Sequence, residues 1–330
     1  MPSVTRRGLL LLAALALLLL LPAVVRGLGI DYAVGVATRM LIFALAGASL
    51  NLILGYGGMV SFGHAAFFGA GAYVVAILSQ HATYGEPLMT WPFVIEGTES
   101  ALIAWPLAMA ASGLLALLIG LVCLRTSGLY FIMITLAFAQ MIYFFFISLR
   151  AYGGEDGLSL FARSRAGPLD LADDVQFYYL VLVILLVALA LQRRLVASRF
   201  GRVLEGARDN ERRMQALGFP TYRYKLAGFV IAGAVAGLSG ALIANQTEFV
   251  SPSFLDWQRS GEILVIVILG GMGRLLGPVA GAVAFLLLEE VLSAWTEHWM
   301  LVLGPILVLV VLFARGGLWS LIDPRERNRG

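Results

Sequence analysis

This sequence is poor in charge and in the side chains that most often carry out chemistry. Only 13% of its 330 residues are charged and 60% are hydrophobic, whereas a soluble globular chain carries about 25% charged residues. A water-soluble fold of this length would have too few polar residues to cover its surface. The apolar excess therefore has to face lipid, and we predict a membrane protein.

The scarcity of lysine, cysteine and histidine excludes several kinds of site. A P-loop needs a lysine directly after a glycine, and the only lysine, Lys225, follows a tyrosine. The only cysteine, Cys123, excludes an internal disulfide and a cysteine-rich metal cluster. The three histidines lie far apart, without the spacing of a helical zinc site. We therefore expect no enzyme active site, no metal and no cofactor in this chain.

Long hydrophobic runs are abundant and predict an all-α, polytopic membrane fold. Runs of roughly 17–25 residues are typical of membrane-spanning helices. The clear ones are residues 8–25, 33–54, 101–124, 129–149, 177–196, 226–244 and 299–313. Three more, 62–78, 263–271 and 276–292, are short or interrupted, and such segments either span or are re-entrant. The prediction is one transmembrane domain over residues 1–330, with about ten transmembrane or re-entrant helices.

The distribution of charge along the chain predicts its orientation. Cytoplasmic loops are enriched in Lys and Arg. With ten crossings and a cytoplasmic N-terminus, one face holds 17 basic and 5 acidic residues, and the other holds 6 basic and 15 acidic ones. The small net charge of +3 is thus the remainder of +12 on one face and −9 on the other. Both termini are expected in the cytoplasm, with residues 1–25 a retained helix rather than a cleaved signal peptide.

The largest basic loop contains a segment with helical periodicity, residues 201–220. Its apolar residues fall on one stripe, and a glycine and a proline follow it as a stop signal. The stripe consists of Val203, Ala207, Met214 and Leu217, and the stop signal of Gly218 and Pro220. The pattern predicts a cytoplasmic amphipathic helix, which either lies on anionic lipid or docks a cytoplasmic partner. Composition alone leaves both open.

The same segment resembles a known family. From Glu205 the chain reads Glu-Gly-Ala-Arg-Asp-Asn-Glu, and Ala216-Leu217-Gly218 follows. With the glycine-rich stretch 51–73, the motif Gly-Gly-Met-Gly at 270–273 and the Arg-Gly-Gly-Leu-Trp motif at 315–319, it resembles the LivM-type permeases of branched-chain amino acid ABC importers, over about residues 35–320. It departs from the family's Glu-Ala-Ala signature at Gly206.

The resemblance implies a division of labour among several chains. Such a permease pairs with a second, LivH-type permease in the bacterial cytoplasmic (inner) membrane, two cytoplasmic ABC ATPases bind the ATP, and a periplasmic substrate-binding protein delivers the ligand. Lipid surrounds the chain, and no nucleic acid is involved. The resemblance also makes segment 201–220 the ATPase-coupling helix. Its expected contact residues are Arg202, Glu205, Ala207, Arg208, Asp209, Asn210, Glu211 and Gly218.

Polar residues inside the apolar runs are candidates for the substrate path. An unsatisfied polar group is costly in hydrocarbon, and a broken helix exposes backbone donors and acceptors suited to a zwitterionic amino acid. The glycine-rich stretch 55–71 is the expected break. The candidates are Asn51, Ser61, His64, Thr135 and Gln140, each with a structural hydrogen bond between helices as the alternative role. Small residues spaced by four predict helix packing at Gly233, Gly237, Gly273, Gly277 and Gly281.

Two alternative functions and one undecided surface remain at this stage. A related permease would carry urea, short amides or other small carboxylates. An ion-coupled secondary transporter would place carboxylates within the membrane, whereas the acidic residues here fall at the ends of the apolar runs. The acidic loop 150–177 is either solvated or part of a docking surface for a binding protein.

Overall fold

The fold is nearly all helical, as predicted. The computed structural model describes residues 6–27, 29, 32–88, 96–167, 170–296, 298, 301–305, 308 and 317–318, with side chains from residue 16 onward. A two-residue antiparallel pairing of β1 with β2 is the only sheet within those ranges. The elements are α1 Arg6–Gly27, α2 Tyr32–Asn51, a π-helical turn Leu52–Tyr56, α3 His64–Tyr84, α4 Ala101–Cys123, α5 Leu129–Ser148, β1 Leu158–Ser159, α6 Asp174–Ala197, α7 Arg199–Ala216, α8 Thr221–Thr247, β2 Phe249–Val250, α9 Trp257–Gly270 and α10 Gly277–Trp295.

Among the described residues, seven helices are long and apolar enough to cross a membrane. They are α2 with its π turn, α3, α4, α5, α6, α8 and α10. The predicted segment 263–271 belongs to α9, whose 14 residues span about 21 Å, less than the hydrocarbon core of about 30 Å. The predicted segment 299–313 lies largely outside the described residues. The count of about ten is therefore not confirmed.

The core is built around α2, which is buried along most of its length, and around the crossing of α8 with α3 and α4. Glycines allow this crossing. A Cβ added at Gly233 would overlap the side chain of Ala116, and one at Gly237 would overlap Ser112. The Ser112 hydroxyl in turn donates to Phe67 O at 3.0 Å, so three helices meet where the side chains are smallest, as helices in membranes do.

One of the five predicted packing glycines is not on a helix. Gly277 and Gly281 face the end of α9, but Gly273 lies in the preceding turn with φ +73°. The prediction that these three share one helical face is wrong. The reason is local: Gly271 and Gly273 adopt positive φ and end α9, and α10 begins only at Gly277, where Pro278 occupies the first turn.

The two ends of the bundle differ in charge. The end that carries α7 also holds the α2 π turn and the α9–α10 turn, and we call it the α7 end. The opposite end holds paired charges between helices and loops. They are Arg39 with Glu289, Arg163 with Asp174 and Glu248, Arg259 with Glu262, and Arg26 with Asp173.

Part of the acidic loop 150–177 is neutralised by this chain itself. Asp173 caps α6 and pairs with Arg26, and Asp174 pairs with Arg163. Burial raises the pKa of Asp173, but the hydrogen bond from the Val175 amide and the Arg26 guanidinium outweigh it and leave the pKa below its ordinary value. Glu155 and Asp156 stay exposed. Internal ion pairs thus account for two of the five acidic residues of the loop, Asp173 and Asp174.

Candidate translocation and coupling site

The chain is interrupted between α2 and α3, where the glycine-rich stretch predicted a break. After the π turn, residues 57–63 are irregular and mostly buried, and α3 begins at His64. His64 reaches Ser49 of α2, which lies seven residues, about 10 Å, before the end of the π turn. The chain therefore turns back into the bundle before α3 begins.

Three hydroxyl groups satisfy the backbone amides at this break. Phe62 N donates to Thr135 Oγ1 at 3.3 Å, and Gly63 N donates to Ser61 Oγ at 3.2 Å. Ala65 N donates to Ser260 Oγ of α9 at 2.8 Å. Irregular backbone is tolerated at membrane depth only when the protein provides such partners. Two of the predicted path residues, Ser61 and Thr135, thus hold the break in place.

His64 presents one unused polar atom at the start of α3. Its Nε2 lies 2.7 Å from Ser49 Oγ, whose single hydrogen points to Ala46 O at 2.6 Å. Nε2 is therefore the protonated nitrogen, which donates to Ser49 and leaves Nδ1 as a bare acceptor. The side chain is fully buried, and Nδ1 has no partner among the described residues. Of the five candidates, His64 alone has a buried side-chain nitrogen without a partner among the described residues.

The other two candidates lie apart from the start of α3. Gln140 donates to Asp256, the residue that caps α9. Asn51 joins the end of α2 to the α9–α10 turn, because its Oδ1 accepts from Gly273 N and its Nδ2 donates to Arg274 O, both at 2.9 Å. The structure therefore groups Ser61, His64 and Thr135 around the break and gives Asn51 and Gln140 structural bonds between helices.

Replacing Asn51 with leucine should lower the free energy of unfolding by about 2–4 kcal/mol, because two hydrogen bonds are lost and the Gly273 amide keeps no acceptor. Thermal unfolding of the purified protein in detergent measures this. Ser148→Ala, which removes a hydroxyl bonded only within its own helix, is the control. Equal stability of the two variants would contradict a structural role for Asn51.

Two functional side chains were missed in the sequence. Ser49 lies in the same apolar run as Asn51, so its polarity was the available signal. Ser260 stands between Arg259 and Glu262, outside the predicted apolar segment 263–271. Only the packing of α9 against α3 brings its hydroxyl to Ala65 N.

The predicted amphipathic helix exists, but it is shorter and broken. α7 ends at Ala216, and Asn210 has extended backbone angles (φ −157°, ψ 97°). The Asn210 side chain accepts from Arg213 N at 2.9 Å and caps the second half. The prediction of one continuous helix over 201–220 is wrong because this cap competes with helix continuation.

The break at Asn210 also divides the predicted apolar stripe. Val203 and Ala207 are buried, whereas Leu217 is 66% exposed. The second half folds back so that Met214 lies over Gly206, and a Cβ at Gly206 would stand 2.7 Å from the Met214 sulfur. The departure from the family signature at Gly206 thus makes room for Met214. Gly218 follows the helix end with φ +86°, in the position predicted for a stop.

The predicted contact residues of α7 differ in exposure. Ala207 is buried, Glu205 and Glu211 are half-buried, and the others are exposed: Arg202, Arg208, Asp209, Asn210 and Gly218. Glu211 accepts from Lys225 Nζ at 2.6 Å and from the Thr221 hydroxyl at 3.0 Å, which fastens α7 to α8. Arg208 donates to Gly55 O of the π turn at 2.7 Å.

A cavity of about 410 Å³ opens at the α7 end beside these contacts. One wall is the start of the break, Gly58 to Val60, and the facing walls are the α4–α5 turn and the Glu211–Lys225 pair. The end of α7 and the break therefore border the same space.

Comparison with known proteins identifies the family of this chain. The family described as "Branched-chain amino acid transport system / permease component" matches residues 32–311. The chain belongs to this family. The permease is 30% identical to the high-affinity branched-chain amino acid transport system permease protein LivM of Salmonella typhimurium, over 98% of this chain and 77% of the relative, and equally to LivM of Escherichia coli K12.

A second group of relatives matches a shorter part of the permease. LivH of Escherichia coli K12, a permease protein of the same kind of transport system, is 27% identical over 42% of this chain and 45% of its own length. No solved structure matches this chain. The relatives are transport permeases rather than enzymes, as expected from the sequence.

Proposed function

We propose that this permease is the membrane-spanning subunit of an ABC importer that carries branched-chain amino acids across the cytoplasmic membrane of a bacterium. A LivH-type permease completes the translocation unit, two ATPases bind ATP at the cytoplasmic face, and a periplasmic protein delivers the substrate. The observation that carries the proposal is the match to LivM along nearly the whole chain. The weaker likeness to LivH supports pairing with a related subunit.

The burial of α7 favours docking over lipid binding. An interfacial helix inserts its apolar face into the bilayer. In α7 the apolar residues Val203, Leu204 and Ala207 are buried within the protein, and its exposed surface carries charges of both signs. Such a surface suits a complementary protein better than an anionic membrane. We assign it as the ATPase-docking surface.

The α7 end is assigned to the cytoplasm. It carries most of the basic residues of the chain, in line with the positive-inside rule. Trp295 ends α10 at the opposite end, yet Leu318 N donates to Leu269 O near the end of α9, at the α7 end. Residues 295 and 318 thus lie at opposite ends of the bundle, and the position of Leu318 supports a cytoplasmic C-terminus.

The charged residues near the membrane argue against ion coupling. An ion-driven transporter would keep carboxylates available on its ion path. Here Glu262 pairs with Arg259, Glu289 with Arg39, and Glu290 accepts from the Tyr32 hydroxyl, all at the end opposite α7. Glu289 and Glu290 join α10 to α2, and Glu262 pairs within α9.

Uptake of radiolabelled leucine into proteoliposomes tests the proposal. With the second permease, both ATPases and the binding protein present, we expect ATP-dependent uptake that is lost when any one of them is omitted. Competition by unlabelled isoleucine and valine, but not by urea or acetamide, would separate the proposed substrate from those of related permeases. Uptake by this chain alone, driven by a proton or sodium gradient without ATP, would refute the proposal.

A further inference from the structure

We propose that Arg208 is a positioning residue that fastens α7 directly to the break between α2 and α3. Movement of α7 then reaches the translocation path through this contact, and not only through the flanking helices α6 and α8. The inference rests on the proposed function, since it takes α7 as the segment that an ATPase moves. We call the contact between Arg208 and residues Gly55 and Gly58 the Arg208 latch.

The latch depends on three hydrogen bonds and two glycines. Arg208 Nη1 donates to Gly55 O at 2.7 Å, while Nε and Nη2 donate to Asp209 Oδ1 at 3.2 and 3.1 Å. The aliphatic part of Arg208 lies across Gly58, where an added Cβ would come within 2.5 Å of Arg208 Cγ. Gly58 also has φ +67°, a conformation that glycine adopts without strain. Asp209 therefore holds the guanidinium from one side, and the aliphatic part of Arg208 lies on the backbone of Gly58.

The latch acts on the last turn of α2, which is π-helical. π turns are rare and are frequent at functional sites. Gly55 O belongs to this turn, and a cation near carbonyl groups at a helix C-terminus is stabilising. Loss of the guanidinium would therefore weaken the conformation from which residues 57–63 leave the helix.

A third element meets the latch at the same point. A Cβ at Gly55 would overlap Gly273 N, which donates to Asn51 Oδ1, and a Cβ at Gly273 would stand 3.8 Å from Arg208 Nη1. The end of α2, the α9–α10 turn and α7 are thus in contact through small residues. A displacement of α7 acts on the part of the chain that leads to Ser61 and Phe62. Thr135 of α5 holds Phe62 in place at the break.

Thiol labelling tests the latch without requiring transport. In a Cys123→Ser background, Val60→Cys places the only thiol on the half-buried wall of the cavity beside the latch. In the assembled complex we expect Arg208→Met to raise the rate of modification by a small thiosulfonate reagent at least fivefold. Gly58→Ala should do the same from the other side of the contact, because its methyl group displaces the Arg208 side chain.

Two controls separate the latch from other effects. Gly85→Ala introduces an alanine at a similar positive φ of +69°, with no atom within 4 Å, and Arg193→Met removes an exposed arginine at the end of α6. Both should leave the labelling rate unchanged. Copurification of the ATPases with Gly58→Ala should be retained, since Gly58 is not on α7.

The result that overturns the latch is an unchanged labelling rate in both Arg208→Met and Gly58→Ala. A faster rate in Arg208→Met alone would also overturn it, because the effect would then come from the α7 surface rather than from the contact. Failure of leucine uptake in the unsubstituted complex would instead refute the proposed function, and the labelling result would still report whether the contact holds the break.

Discussion

Exchanging the charges of Arg208 and Asp209 is expected to uncouple ATP hydrolysis from transport. In the double variant Arg208→Glu and Asp209→Arg, the new carboxylate faces Gly55 O, so the hydrogen bond at 2.7 Å becomes a repulsion between two acceptors. The net charge of α7 is unchanged. We expect leucine uptake by the reconstituted importer to fall at least tenfold while ATP hydrolysis continues.

This prediction is checked by measuring uptake and ATPase activity on the same proteoliposomes. The variant should insert into the membrane as well as the unsubstituted protein does, because both side chains are exposed. The amount of protein in extracted membrane fractions measures insertion. The single variant Arg193→Glu is the control for a reversed charge near the same end of the bundle. Normal uptake in the double variant would remove α7 as the coupling segment.

A large loss of stability is expected for Gly240→Ala. Gly240 lies where α8 crosses α3, and an added Cβ would overlap the backbone oxygen of Phe68. Backbone in the middle of two packed helices cannot move aside as a flexible side chain can, so the helices must separate. Overpacking of this kind costs about 3 kcal/mol, and it would also disturb the neighbouring contact of Gly71 with Gly237.

Thermal unfolding in detergent measures this effect. The readout is the loss of monodisperse protein on size-exclusion chromatography after heating. Gly261→Ala is the matched control, because Gly261 is also helical and an added Cβ there meets nothing within 4 Å. Alanine should even favour the helix slightly at that position. If both variants unfolded at the same temperature, close packing at Gly240 would not be limiting for stability.

Local rules explain which predictions were confirmed and which were wrong. The helical class and the family follow from long apolar runs and from motifs in a fixed order, and neither depends on how the helices pack. The glycine series 273–281 has the spacing of a packed helix, yet positive φ at Gly271 and Gly273 ends α9 first. The period of segment 201–220 is helical, yet the side chain of Asn210 caps a new helix within it. In the first case two glycines outweigh the surrounding periodicity, and in the second case Asn210 alone does so.

The candidate path residues illustrate the same limit. Polarity within an apolar run identified Ser61, His64, Thr135 and Asn51, but polarity does not tell which atom already has a partner. Thr135 and Ser61 hold backbone amides, and Asn51 joins two elements that are more than 200 residues apart in sequence. Of these four residues, only His64 has a buried nitrogen with no partner among the described residues.

The sequence by itself determined that this chain lies in a membrane and that it resembles branched-chain amino acid permeases. These properties follow from composition and from residues close together in the chain. The tertiary structure alone decided that Arg208 reaches Gly55, that Ser260 caps the start of α3, and that Gly240 lies against Phe68. The physical reason is that each contact joins distant segments, and glycine permits such approaches without specifying which backbone will arrive.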